Sequence, residues 1–132
     1  MQPFADEIRR LLHDEREQLL ALADRVSATT QRYSDEELHQ LLNGFEAMVV
    51  EALEGRGTQT RDLFVETAIP AVLAAGESPS GLVHNTVGFA ILLTTHLLDS
   101  LPPEHRTEAG DWLAHFFADY CARLTGVIVE QR

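Results

Sequence analysis

The stretch between Ser78 and Leu98 restricts the possible folds more than any other part of the chain, because it carries no charged side chain apart from any protonation of His84 or His96. On a helix, its closely spaced large apolar residues from Val87 to Leu93 point to every side. The uninterrupted apolar part covers about a dozen residues, fewer than the roughly 20 that span a bilayer. Such a helix must be covered on nearly every face by protein.

The rest of the sequence also predicts helices. No segment alternates apolar and polar residues with a period of two, and no hairpin turn signal separates β-branched runs. The spacing of apolar residues predicts about five helices, over roughly 4–30, 35–54, 60–75, 80–100 and 104–131. The polar stretch 13–18 indicates either a solvated face or a bend in the first helix. In the third helix Pro70 predicts a kink or a break, since proline removes a backbone hydrogen bond.

Helix ends are marked by specific residues. Ser34 with Glu37 three positions later forms a capping-box pattern, and Ser78 followed by Pro79 is typical of a helix start. Glycine follows the second and third predicted helices, as is usual where a helix ends in a left-handed residue. These signals support an all-α fold of about five to six helices.

The length of 132 residues predicts one helical domain over residues 1–132 with a core of its own. Twenty-one acidic residues face ten basic ones, all of them arginine, for a net charge of −11. So acidic a surface repels phosphate backbones and anionic lipids, so neither a nucleic acid nor a membrane is expected as a partner. The single cysteine, Cys121, and the lack of a signal-peptide pattern predict a cytoplasmic protein.

The last predicted helix carries an apolar arc wide enough to contact two neighbours. Together with the apolar helix before it, it exceeds what a core of this size needs, which predicts a homodimer formed through the last two helices. The candidate pocket or dimer-interface residues are His84, Phe89, Leu93, His96, Trp112, Phe116, Phe117, Tyr120 and Ile128.

Metal and cofactor sites have little support in the sequence. Glu36-x-x-His39 is one half of a di-iron motif that requires two such pairs, and Asp111, His115 and Asp119 share a helix face that is equally typical of a solvated surface. No histidine lies between Thr58 and Gly76, where a globin would carry its proximal ligand. No haem, flavin or metal is therefore expected, and no catalytic motif indicates an enzyme.

Three segments carry a resemblance to a known family: YSDEEL at 33–38, EALEG at 51–55 and AAGESPSGL at 74–82. Over roughly 30–131 the sequence resembles the N-terminal sensor domains of RsbR-type stressosome proteins, the RsbT co-antagonist family. The resemblance implies a non-haem globin-like fold, pairing through the last two helices, and a role as signal-input module of a stress response. It transfers no catalytic or ligand-binding residue.

In the familiar members a STAS-type output domain follows the sensor domain, and these 132 residues contain none. The chain is then expected to be either an excised sensor domain or a stand-alone relative. Three further functions stay open beside the signalling one. They are a stand-alone globin-like protein that binds a small apolar or tetrapyrrole ligand, a helical metalloenzyme, and a helical interaction protein of another family.

Overall fold

A computed structural model describes residues 3–28 and 33–130. In these two ranges the chain forms six α-helices and one 3₁₀ turn, with no β-strand. The helices are α1 (Ala5–Asp14), α2 (Arg16–Ser27), α3 (Asp35–Leu53), α4 (Gln59–Ala74), α5 (Pro79–Ser100) and α6 (Arg106–Glu130), and the 3₁₀ turn is Pro103–His105. The prediction of an all-α fold is confirmed.

The first predicted helix is two helices that meet at Glu15. The backbone of Glu15 leaves the helical region at φ −106° and ψ 27°, and its N–H still closes the last turn of α1 on the carbonyl of Leu11. The polar stretch 13–18 therefore marks a bend. The break predicted at Pro70 is absent, because α4 continues through this residue. The carbonyl of Glu66 that loses its partner belongs to an exposed residue, where water can satisfy it.

The predicted helix starts are present as hydrogen bonds. Ser34 Oγ accepts from the Glu37 N–H at 3.2 Å, and Glu37 Oε1 accepts from the Ser34 N–H at 2.9 Å, which completes the capping box of α3. Ser78 Oγ accepts from the Gly81 N–H at 3.0 Å at the start of α5. Gly76 has a φ of 108°, a value that residues with a Cβ rarely adopt.

Five of the helices form a closed ring. Going round it, α6 contacts α4, α4 contacts α3, α3 contacts α2, α2 contacts α5, and α5 contacts α6 again. Fully buried leucines fill the centre between the last two helices and α1, among them Leu93, Leu97 and Leu113. The inner faces of these five helices surround one common space, and a small molecule can bind there.

A buried carboxylate connects the end of α3 to the start of α4. Glu51 near the end of α3 accepts hydrogen bonds from the Thr60 hydroxyl at 2.7 Å and the Thr60 N–H at 2.8 Å, at the start of α4. These bonds lower the pKa of Glu51. Glu51 thus satisfies a backbone donor that a local cap would otherwise bind, and it keeps the α3–α4 turn closed.

A pH-sensitive contact joins the turn before α6 to α1. His105 Nδ1 donates to Glu7 Oε2 at 2.7 Å, and this bond raises the pKa of His105 above its ordinary value of 6.5. The stabilisation is fully present below pH 6.5 and is lost as the pH rises through the higher folded-state pKa. We therefore expect His105→Asn to lower the urea midpoint more at pH 5.5 than at pH 8.5.

The control for this variant is His13→Asn. His13 is exposed and forms no hydrogen bond or ion pair with any residue in the described ranges. Its substitution is expected to shift the midpoint equally little at both pH values. An equal loss for His105→Asn at pH 5.5 and 8.5 would contradict the ionic contribution of the Glu7 contact.

Candidate functional site

The ring of helices lines a half-open cavity of about 130 Å³. Each of its five helices contributes side chains, for example Val26 from α2, Phe45 from α3, Ala68 from α4, Phe89 from α5 and Phe117 from α6. Because the cavity lies where all five helices meet, an occupant would contact every element of the ring.

The cavity walls are apolar and rich in aromatic rings. Phe45 lies at their centre, with its ring edge-on to Phe89 at 5.5 Å and stacked with Phe117 at 5.8 Å between centroids. Leucine, isoleucine, valine and methionine side chains complete the walls, and no Asp, Glu, Arg or His lines them. Such walls favour an uncharged occupant, since burying an unpaired charge is costly.

One side of the cavity is held by a buried hydrogen-bond cluster. Glu77, buried just before α5, accepts from the Tyr33 hydroxyl and from Asn85 Nδ2, the latter at 2.9 Å. Burial and the neighbouring carboxylate raise the pKa of Tyr33, so its phenol stays protonated. Glu77 thereby fixes two cavity-lining side chains, one before α3 and one on α5.

Two other hydroxyl groups on the walls have no such partner. Tyr120 on α6 is 8% exposed, and Thr86 on α5 is half-buried. Across 3–28 and 33–130, neither hydroxyl forms a hydrogen bond with the protein. Burial raises the pKa of Tyr120, so its hydroxyl is present as a neutral donor and acceptor.

A second pocket adjoins the cavity. It measures about 300 Å³ and lies between α3 and α4. Tyr33, Leu41, Phe64, Ala68 and Val72 line both spaces, so these side chains form the wall between them.

Three of the nine sequence-predicted site residues meet in the cavity: Phe89, Phe117 and Tyr120. The other six lie elsewhere. Leu93, Phe116 and Ile128 are buried within the protomer, and Trp112 is half-buried and stacks on Phe116. His96 is half-buried and bonds to Glu15, whereas His84 is exposed on α5.

Sequence reasoning did not single out Tyr33, Glu77, Asn85 or Thr86. Asn85 and Thr86 interrupt the apolar helix at consecutive positions, which was a usable signal of a polar wall. Nothing in the local sequence pairs Tyr33 with Glu77, since 44 positions separate them and only the tertiary fold brings them together.

A second feature is an exposed apolar stripe on α5. Val83, Val87 and Ile91 are 40%, 42% and 61% exposed and follow one another at intervals of four, so they share one helix face. Within the described ranges, α5 is also the one helix that is long and apolar enough to cross a membrane, a property it shares with core helices of soluble proteins. The expectation that protein covers nearly every side of this helix is not met within one chain.

The neighbouring face of α6 is rich in small residues. Exposed small or apolar residues recur there every three or four positions: Ala114, Ala118, Ala122, Thr125 and Val129. The exposed carboxylate of Asp111 lies on the same face, one turn before Ala114. Gly110 lies against the Leu98 side chain where the two helices meet. Ala114 follows Gly110 by four positions, so it lies on the same side of α6. Ile91 and Val87 precede Leu98 by seven and eleven positions, so they lie on the same side of α5. The α5 stripe and the α6 row therefore border the same groove between the two helices.

Neither metal binding nor thiol chemistry is indicated in the described part of the chain. No three His, Cys, Asp or Glu side chains there could hold a metal ion together. The His115 ring nitrogen Nδ1 lies 2.8 Å from the Asp111 carbonyl on its own helix. Burial raises the pKa of the Cys121 thiol, which disfavours the reactive thiolate.

Comparison with known proteins identifies no relative. No protein-family model, curated protein or solved structure matches this chain.

Proposed function

We propose that this protein is a non-catalytic signal-input module that acts as a homodimer. The observation that carries the proposal is the exposed apolar stripe of α5, Val83, Val87 and Ile91, beside the small-residue row of α6. On a chain with a net charge of −11, this stripe is where two copies can approach with little repulsion, and Asp111 is the acidic residue on the α6 row that borders it. Two pairs of helices would then form a four-helix interface.

The same two helices connect this face to the cavity. Phe89 on α5, and Phe117 and Tyr120 on α6, line the cavity from the inner sides of the helices that carry the exposed rows. A molecule that favours one packing of these rings over another would change how the two helices present their outer faces. Signal transfer requires such differential binding between two discrete packings.

The resemblance to the RsbR-type sensor domains supports the same proposal. It adds a non-haem globin-like topology, a cytoplasmic stress-response setting and a STAS-type or other output domain or protein as the receiver of the signal. The lack of any histidine on α4 agrees with a haem-free domain.

A second candidate function is stand-alone binding of a small molecule, and the cavity favours it. Its volume of about 130 Å³ lies below the 300–1,000 Å³ of pockets for drug-sized ligands. A small apolar ligand fits this volume, and a tetrapyrrole does not. The two functions differ in the oligomeric state that they require.

The dimer is tested by charge substitution at the proposed interface. We expect the wild-type protein to have the mass of a dimer at micromolar concentration, and Ile91→Glu to have the mass of a monomer, because two added carboxylates would face each other across the two-fold axis. Light scattering after gel filtration measures both masses.

The matched control is Leu63→Glu. Leu63 is 66% exposed on α4, so this variant adds the same charge to an equally open position that is not part of the proposed α5–α6 interface. It is expected to stay dimeric, and circular dichroism should show both variants as helical as the wild type. A wild-type monomer, or an Ile91→Glu dimer of undiminished affinity, would refute pairing through this face.

A further inference from the structure

We infer that the cavity binds a small neutral aromatic molecule with a single hydrogen-bonding group, of the phenol class, whose polar group contacts the Tyr120 and Thr86 hydroxyls. The inference rests on the ligand-binding function proposed above and is independent of dimerisation.

The size of the cavity determines the size of the ligand. An engineered protein cavity of about 150 Å³ with apolar walls stays dry and binds benzene. The present cavity, at about 130 Å³, is close to that volume, so it admits a single six-membered ring. A fused ring system would require the walls to move.

The walls determine the chemical class. The rings of Phe45, Phe64, Phe89 and Phe117 offer faces and edges that pack well against an aromatic ligand. With no charged side chain on the walls, a carboxylate or an ammonium group would enter unpaired, at high cost. The ligand is therefore neutral.

The two unpaired hydroxyl groups select for a polar substituent. Leu98 of α5 lies beside Gly110 of α6 and the two helices run antiparallel, so position 86 lies opposite position 122. At 1.5 Å per residue, the Cα atoms of Thr86 and Tyr120 are then at levels roughly 3 Å apart along the helices. Both side chains line the cavity, so a ligand hydroxyl group that lies between them can donate to one and accept from the other.

Tyr33 and Asn85 on the same walls are hydrogen-bonded to Glu77, whereas the Tyr120 hydroxyl forms no hydrogen bond with the described residues. Among the described side chains, the Nε of Arg123 is the one atom that is both fully buried and unpaired, so the Tyr120 oxygen retains accessible surface. Because Tyr120 lines the cavity, its hydroxyl is available to a ligand there.

The experiment uses phenol and benzene as probes and follows the amide signals of the intact protein by NMR titration. Both probes are expected to bind in fast or intermediate exchange and to shift signals of α5 and α6. Tyr120→Phe should weaken phenol binding roughly 2- to 10-fold, the range of one hydrogen bond, and leave benzene binding within about twofold of the wild type.

A filled cavity provides the second arm. Ala68→Leu adds three carbon atoms to a residue that lines the cavity and should abolish saturable binding of both probes. Ala74→Leu makes the same change at an exposed position of α4 outside the cavity and should leave both affinities unchanged. Thermal melts of both variants identify any general loss of folding.

The outcomes separate the inference from the functions proposed above. Binding of both probes with equal sensitivity to Tyr120→Phe would leave a ligand cavity in place and overturn the hydrogen-bonding role of Tyr120. Absence of saturable binding, or binding unaffected by Ala68→Leu, would show a packing void only and overturn the inference and the ligand-binding function together. The mass of the wild-type protein decides dimerisation separately.

Discussion

Phe116→Ala is expected to lower the free energy of unfolding by about 3–5 kcal/mol, the range for removing a large aromatic side chain from a core. Phe116 is buried and stands at the centre of an aromatic group, with its ring 5.4 Å from both Trp112 and Phe117 and 6.3 Å from Phe45. These rings come from α3 and α6, and shortening Phe116 to a methyl group leaves a space that they cannot close without losing their mutual contacts.

Leu93→Ala is expected to have a similar effect, about 2–5 kcal/mol, because Leu93 is completely buried. Asp119→Ala provides the control on α6, since Asp119 is exposed and its removal should cost well under 1 kcal/mol. Urea denaturation followed by circular dichroism gives all three values. A loss for Asp119→Ala that equals or exceeds those of the two core variants would show that the buried side of α6 is assigned wrongly.

The fold was predictable from the sequence where a local signal determined the structure. The starts of α3 and α5 are examples, marked by Ser34 with Glu37 and by Ser78 with Pro79. Neighbouring residues satisfy the backbone donors there, so these helix starts can be predicted without knowing the tertiary fold. The bend at Glu15 was left open, because a polar stretch on an exposed helix face and a polar stretch at a bend have the same composition. The chain continues through Pro70 since solvent at Glu66 tolerates the missing hydrogen bond.

The cavity was only partly predictable, for a physical reason. Phe89, Phe117 and Tyr120 belong to apolar arcs that sequence periodicity reveals, but an arc does not show which of its residues contact a neighbour and which border an empty space. That depends on how closely five helices approach. Gly44, for example, admits the Phe64 ring so closely that a Cβ there would lie 2.5 Å from it. The hydrogen bond between Tyr33 and Glu77 likewise exists only once the tertiary fold brings the start of α3 next to the start of α5.

The same distinction applies to Ile128. The sequence places Ile128 on the apolar arc of the last helix and assigns it to a pocket or an interface, whereas the structure buries it at 8% exposure within the chain. The neighbouring Val129, absent from the predicted set, is 60% exposed on the small-residue row of α6. One position along a helix turns a side chain by about 100°, which is enough to move it from the core to the surface.

These two neighbours provide the most sensitive test of the arrangement. Ile128→Glu is expected to lower the free energy of unfolding by about 4 kcal/mol or more, because it removes a buried apolar side chain and puts an unpaired carboxylate among α6's core contacts. Domains have total stabilities of about 5–15 kcal/mol, so this variant should be largely unfolded in modest denaturant. Urea titration at several pH values measures the deficit.

The pH dependence shows whether the new carboxylate is buried. Burial raises the folded-state pKa of a carboxyl group above its unfolded value, so the deficit of Ile128→Glu should be smallest below that unfolded value, where only the loss of the isoleucine remains, and grow as the pH rises toward 8. Val129→Glu adds the same charge one position further along. There we expect an intact fold, a deficit independent of pH, and weaker dimerisation, since the charge then points into the proposed interface. A lower stability for Val129→Glu than for Ile128→Glu would mean that α6 is rotated about its axis, with Val129 in the core and Ile128 on the surface.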